Sequence, residues 1–299
     1  AALRQGFLAV ASGMVDVVLV VGVEKFTDKI GPDVDTAIAT TSDAEFEAVH
    51  GMTAAAQAAL LMKRYMYENN VPSNGFAGFV LTAHANGAGN PCAMYRKAIK
   101  PETYAKAEMV SDPLNMFDVA PNADGAAALI LTRRDLLPPG YPHPLVKVAG
   151  SGAASDTLAL HDRKDMLFFD TAQVSAGTAM KKAGVRLDDI DLFEYHDVFS
   201  IYAALQLEAV GFAVKGQGWK LAENGEIGLK GKIPCATMGG MKARGFPGGA
   251  AGVYQAVEAA LQLRGQAEAN QVANAKTALI QSLGGPASTA VSHILQVLD

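Results

Sequence analysis

The chain of 299 residues is half apolar, has 18% charged residues and carries acidic groups in excess of basic ones by five. It can bury one large core or two medium ones, which excludes a disordered polymer, and without runs of like charge it offers no footprint for nucleic acid or an anionic membrane. Its two cysteines, Cys92 and Cys235, make neither a C-x-x-C pair nor a disulfide framework, which fits the reducing cytoplasm and gives no support for a metal.

Leu3, Phe7, Val10 and Met14 recur at helical spacing and Gly13 supplies a stop, so the chain opens on a helix. No charged leader and no capping residue precede that helix, and the chain is expected to start mid-domain. Residues 16–23, D-V-V-L-V-V-G-V, form a continuous β-branched run, the pattern of a central parallel strand covered by helices on both faces. This run and that at 126–131 fall far short of the roughly 20 residues of a membrane helix, so no span is expected.

Residues 26–122 change texture, with Pro and Gly breaks and an Ala- and Met-rich helix at 52–67, and read as an insertion into a sheet. Met62 and Met66 there stand at helical spacing, which means core packing. The sheet resumes at 126–132 after Asp124-Gly125, and Pro138-Pro139-Gly140 marks a domain boundary. Beyond it a strand at 145–149, a helix at 171–183, a strand at 190–195 and a helix at 200–210 follow in βαβ order. A short strand at 233–236, a Gly-rich turn and a helix at 249–263 come next. Strands at 277–283 and 288–298 close the chain as an antiparallel hairpin around Gly284-Gly285-Pro286. The fold class is α/β.

Three loops carry candidate chemistry. Gly150-Ser151-Gly152 follows a strand but lacks the third glycine and the acidic partner of a dinucleotide fingerprint, and reads as a plain strand exit. His196 sits in E-Y-H-D-V-F-S where a strand gives way to a helix, the edge at which α/β sheets place ligands; it can donate to a thioester oxygen or move a proton near neutral pH. Asp197 beside it reads as a helix cap. The stretch 238–252 packs six glycines, Lys242 and Arg244 into a turn before a helix, bringing backbone and N–H groups close to a ligand. Ser282-Leu283-Gly284-Gly285-Pro286 adds a third loop at the same edge. His50, His143 and His161 are scattered, and neither cysteine opens a helix that would activate its thiol.

Several segments together resemble the thiolase superfamily along essentially the whole chain, and within it the sterol-carrier-protein-type and archaeal thiolases. They are A-A-L-R-Q-G-F-L-A-V-A-S-G with V-G-V-E-K, H-A-N-G-A-G-N-P from His84, D-V-A-P-N-A-D-G-A-A from Asp118, H-D-V-F at His196, G-G-M-K-A-R-G-F-P-G-G-A from Gly239 and S-L-G-G at Ser282. The resemblance implies two related βαβαβαββ halves stacked as five alternating αβαβα layers. Residues 1–135 would complete the first half, 26–122 being its inserted loop domain, and 145–299 would be the second half.

The implied activity is acetyl-CoA acetyltransferase-like, forming or thiolysing a carbon–carbon bond in acyl-CoA or 3-ketoacyl-CoA, with coenzyme A as substrate and no further cofactor or metal. The implied assembly is a homodimer, with an OB-fold, zinc-ribbon protein as a further partner. The family's nucleophilic cysteine would lie a few residues before the stretch matching Ala1. His196 matches the oxyanion-hole histidine, and His84, Gly239, Gly240, Phe246, Gly248, Ser282 and Gly284 fall on the substrate-binding motifs. Three positions depart from the pattern. Phe246 stands where the family has a second histidine, and Val198 and Ser282 stand at the alternative sites of its second cysteine. Two other readings follow: a retro-aldol lyase in which Tyr195 or another nearby hydroxyl supplies the proton, and a non-catalytic acyl-CoA-binding subunit.

Overall fold

A computed structural model describes residues 1–29 and 31–298. Its first stretch runs α1 (Ala2–Ala11), β1 (Val17–Glu24), α2 (Gly31–Ala39), α3 (Ala54–Asn69), α4 (Ala77–Ala88), α5 (Pro101–Ala105), β2 (Met109–Ser111), β3 (Leu114–Asn115) and β4 (Gly125–Thr132). The second runs β5 (Leu145–Ser155), α6 (Asp170–Ala183), β6 (Leu192–Glu194), α7 (Ser200–Val210), α8 (Gly218–Glu223), α9 (Ala251–Leu263), β7 (Thr277–Gly284) and β8 (Thr289–Leu298).

The second stretch forms a four-stranded sheet in the order β5-β8-β7-β6, with β6 parallel to β7 and the other pairs antiparallel. Helix α6 covers one face of this sheet and α9 the other, and α9 with α1 also packs on the two-stranded sheet β1-β4. Helix and sheet layers therefore alternate α, β, α, β among the described residues. None of the described helices is long and apolar enough to cross a membrane.

The Gly150–Gly152 pair lies inside β5 and does not end it, because β5 continues to Ser155. A Cβ on Gly150 would fall 2.0 Å from the Ala179 carbonyl oxygen, and one on Gly152 2.1 Å from that of Ser175. The glycines let α6 lie directly on the sheet. Residues 233–236 form no strand, and a single bridge joins Cys235 to Phe193.

Strand β1 pairs antiparallel with β4, from Val17 opposite Thr132 to Glu24 opposite Gly125. The expectation of a parallel strand covered on both faces is thus corrected: Val17, Leu19, Val21 and Val23 are 57%, 63%, 50% and 68% exposed. A run of valines satisfies either environment, and among the described residues only one face meets helices. The pairing brings together the two ends of residues 26–122. Thr27 tightens that closure, its N–H donating to Asp124 Oδ1 at 3.0 Å.

Helix α7 is buried on every side, including its polar residues Gln206 and Glu208. Each has a partner. Glu208 Oε1 accepts from the Gly218 N–H at 2.7 Å and from the Tyr65 hydroxyl, while Gln206 serves the site described next. Phe193, Ile201, Leu205, Phe79 and Met62 build the main core around it.

Candidate active site

Strand β6 ends at Glu194 and α7 begins at Ser200, and the turn between them is held by two buried glutamines. Gln206 Oε1 accepts from the His196 N–H at 2.9 Å, and Gln206 Nε2 donates to the His196 carbonyl at 2.8 Å. From α9, Gln255 Nε2 donates to the carbonyls of Glu194, Tyr195 and Gln281 at 3.1, 2.7 and 3.0 Å. The His196 backbone is thus held at both its N–H and its carbonyl.

The His196 residue is 6% exposed, and its buried Nδ1 has no hydrogen-bond partner among the described residues. Burial, helped by the nearby Arg244 charge, pushes its pKa down to about 4, so the imidazole is neutral at physiological pH. The Phe246 ring stands edge-on to it, centroids 5.8 Å apart at 87°. The Phe246 backbone is fixed in turn, its N–H donating to the Pro121 carbonyl at 2.8 Å and its carbonyl accepting from the Ala123 N–H at 3.0 Å.

Asp197 does not cap α7. Its Oδ1 accepts from the Met241 N–H at 2.8 Å and so ties the histidine turn to the glycine-rich loop. Gly240, at φ +53°, makes this possible, since a Cβ there would lie 2.4 Å from Asp197 Oδ2. The loop then winds through a π-turn, Gly240–Arg244, that directs both of its cations inward. Lys242 Nζ donates to the Asp118 carbonyl at 2.7 Å, and burial pushes its pKa down to about 8. Arg244 pairs with Glu258 at 2.7 Å and lies over the Tyr254 ring, 4.7 Å from its centroid. Asp118 Oδ1 accepts from Ser200 Oγ at 2.6 Å, and Glu194 Oε1 accepts from the Thr237 N–H at 3.0 Å. Burial raises the pKa of both carboxyls.

Above this layer opens a cavity of about 680 Å³. His196, Phe246, Gly248, Ser282 and Gly284 all line it, joined by Ala1, Glu24, Gln57 and Tyr202. The other three sequence candidates, His84, Gly239 and Gly240, are not on its wall. His84 lies buried in α4, stacked on Tyr95 and edge-on to Phe117. Its motif supports the loop from behind: Asn86 Nδ2 donates to the Ala236 carbonyl at 3.0 Å and Asn90 Nδ2 to that of Met238 at 2.8 Å. Tyr195, expected to supply a hydroxyl, is packed edge-on between Phe79 and Phe193, and the tyrosine on the cavity wall is Tyr202.

Neither cysteine lines the cavity. Cys92 is exposed, and Cys235 is buried near Glu194 and Asp197, where desolvation pushes its thiol well up from the ordinary value. Among the described residues no cluster of His, Cys, Asp and Glu could hold a metal ion.

Residues 152–297 match the family model "Thiolase C-terminal domain-like". The chain is 42% identical to the acetyl-CoA acetyltransferase of Methanothermobacter thermautotrophicus over 98% of its own length and 76% of that protein. It is 31% identical to sterol carrier protein 2 of Bos taurus over 74% of its length and 41% of that protein. Among solved structures, the Ltp2-ChsH2(DUF35) aldolase superposes with a TM-score of 0.86 at 23% identity, covering 99% of this chain and 76% of that one, a likeness of fold. On these matches, the chain belongs to the thiolase superfamily and is related to its sterol-carrier-protein branch.

Proposed function

We propose that the cavity is an acyl-CoA site and that the protein is a thiolase-type acyltransferase in which His196 stabilises the thioester or enolate oxygen. The observation that carries this is a neutral imidazole on the cavity wall, its backbone held by Gln206; the ring Nε2 makes no hydrogen bond among the described residues and is not closed off as Nδ1 is. In acyl transfer, a cysteine thiolate attacks the thioester carbonyl and coenzyme A leaves as its thiolate. In the second step an acetyl-CoA enolate attacks the acyl-enzyme, or coenzyme A resolves it. Negative charge collects on a carbonyl oxygen in each step, and an N–H already in place lowers its energy without reorganising. The nucleophile in this reading is the cysteine that the resemblance puts before Ala1, and Ala1 itself lines the cavity.

Gly248 and Gly284 give the pantetheine arm a wall without side chains. Coenzyme A enters as substrate, and the protein acts as a cytoplasmic homodimer.

A second reading rests on Phe246. A phenyl ring edge-on to His196 can neither activate a thiol nor polarise a carbonyl. Retro-aldol cleavage of a 3-hydroxyacyl-CoA needs no acyl-enzyme: a base takes the hydroxyl proton, the carbon–carbon bond breaks, and His196 holds the resulting thioester enolate until it is protonated. The Tyr202 hydroxyl, on the cavity wall and kept protonated by burial, is the candidate for donating the proton to the enolate, and the base is a separate group. An OB-fold, zinc-ribbon partner suits this reading, and a relative of the same fold is itself an aldolase whose name joins two components.

The full-length protein should be assayed for thiolysis of acetoacetyl-CoA and for cleavage of a 3-hydroxyacyl-CoA, beside His196→Ala and Phe246→His. Loss of an oxyanion donor is expected to lower the operative activity by about a hundredfold or more. Thiolysis by the native protein supports acyl transfer; thiolysis only in Phe246→His with native cleavage activity supports the lyase. A His196→Ala variant as active as the native protein removes His196 from either mechanism, and a native protein without activity would sustain neither.

A further inference from the structure

Acyl transfer through an enolate needs a group that takes a proton from the α-carbon of acetyl-CoA. The positions at which the resemblance expects a second cysteine hold Val198 and Ser282. A hydrocarbon takes no proton, and an unassisted hydroxyl is a poor base at neutral pH. Two carboxyl groups line the cavity, Glu24 and Asp35. Asp35 is exposed on α2, whereas Glu24 is half-buried at the end of β1.

Glu24 is held by the loop that also carries Phe246. Its Oε2 accepts from the Gly249 N–H at 3.2 Å and its Oε1 from the Lys25 N–H at 3.2 Å, while the Lys25 ammonium turns away to Asp28. Glycines make room for this carboxyl. A Cβ on Gly248, at φ +42°, would lie 2.5 Å from Glu24 Oε2, and one on Gly22 would lie 2.9 Å from the Ala250 Cα. Each carboxylate oxygen keeps a further lone pair beyond the one its N–H partner uses. Gly249 lines the cavity together with His196, and on its other side it lines a smaller hollow with Ala1 and Ser282. The Glu24 carboxyl therefore stands next to the start of α1, before which the resemblance puts the nucleophile, and on the wall that carries His196.

We propose that Glu24 is the general base of the acyl transfer. Its carboxylate takes a proton from the α-carbon of acetyl-CoA, the C–H electron pair becomes the carbon–carbon double bond of the enolate, and the carbonyl pair moves onto the oxygen that His196 holds. The enolate carbon then attacks the acyl-enzyme, the cysteine leaves as its thiolate, and Glu24 returns the proton to that thiolate. In thiolysis the same carboxyl delivers a proton to the enolate carbon. This rests on the acyl-transfer reading above and supplies the base that it lacks.

Proton exchange tests this without requiring turnover. The full-length protein is incubated with acetyl-CoA in deuterium oxide, and loss of the acetyl methyl proton signal is followed by NMR beside Glu24→Gln and Glu24→Asp. Calorimetry gives the affinity of each protein for acetyl-CoA. Glutamine keeps an oxygen for the Gly249 N–H but cannot take the proton. Glu24→Gln should slow the exchange by about a hundredfold or more, with affinity and melting temperature near the native values, and Glu24→Asp should recover part of the rate. Exchange in Glu24→Gln at the native rate, a Glu24→Asp variant no faster than Glu24→Gln, or a loss of rate that only follows a loss of affinity would overturn the proposal. So would a native protein that binds acetyl-CoA and exchanges nothing. Failure of the native protein to bind acetyl-CoA would instead bring down the acyl-CoA reading itself, and this inference with it.

Discussion

The layer beneath the cavity and the wall that faces it both bury polar groups, and the layer pairs more of them. Beneath, Asp197 Oδ1 meets the Met241 N–H, Asp118 meets Ser200 Oγ, Glu194 meets Thr237 and Arg244 lies 2.7 Å from Glu258, although Asp197 Oδ2, Arg244 Nε and Glu258 Oε2 make no hydrogen bond among the described residues. On the wall, His196 is held through its backbone alone, and Nδ1 of its ring is buried without a partner among the described residues. Buried polar groups are ordinarily paired, so the contrast places the larger contribution to stability in the layer beneath.

The largest expected effect lies in the paired layer. Gln255→Leu removes one donor from three buried carbonyls and should lower unfolding free energy by about 3 kcal/mol, measured by urea denaturation. A loss no greater than that of a surface substitution would mean that the layer does not hold the histidine turn.

The next effect belongs to the wall and depends on pH. The folded His196 pKa of about 4 lies below its ordinary value of 6.5. On acidification the unfolded chain therefore takes up a proton that the folded chain refuses. The stability associated with neutral His196 is fully present above pH 6.5 and is lost as pH falls toward about 4. At pH 5 the native protein should have lost about 2 kcal/mol relative to His196→Gln, by comparison with the difference near pH 8. Parallel stability curves for the two proteins would show that His196 titrates as if exposed.

The smallest effect probes redundancy in the paired layer. Thr237→Val takes away a hydroxyl but leaves the backbone N–H that also serves Glu194, and about 1 kcal/mol should be lost. A cost like that of Gln255→Leu would show that the hydroxyl alone holds the buried carboxyl.

Much of the scaffold was legible in the sequence because its signals are local. The apolar run of α7, the hairpin at Gly284 and Gly285, and His196 at a strand-to-helix junction each declare themselves within about ten residues. The inward turn of Lys242 and Arg244 was not legible, since their partners Asp118 and Glu258 are far away in the chain or beyond a helix turn. Gln206 and Gln255 were missed for the same reason. A glutamine inside an apolar helix signals that something polar must meet it, but only the fold shows that Gln206 and Gln255 meet the histidine turn. His84 misled in the other direction. Its motif points toward the site, yet α4 and the turn after it act on the loop from behind, through Asn86 and Asn90.

The closure of residues 26–122 by β1 and β4 reaches beyond stability. Glu24 faces Gly125 across the ladder, so the ends of this long excursion are already joined by sheet pairing and by Thr27 and Asp124. Doubling the length of a loop whose ends are so held adds only about 0.6 kcal/mol of closure entropy. Length can therefore change at the exposed turns of this segment at little entropic cost, while Met62 and Phe79, in the main core, and Asp118, bonded to Ser200, anchor the rest of it to the scaffold that carries His196.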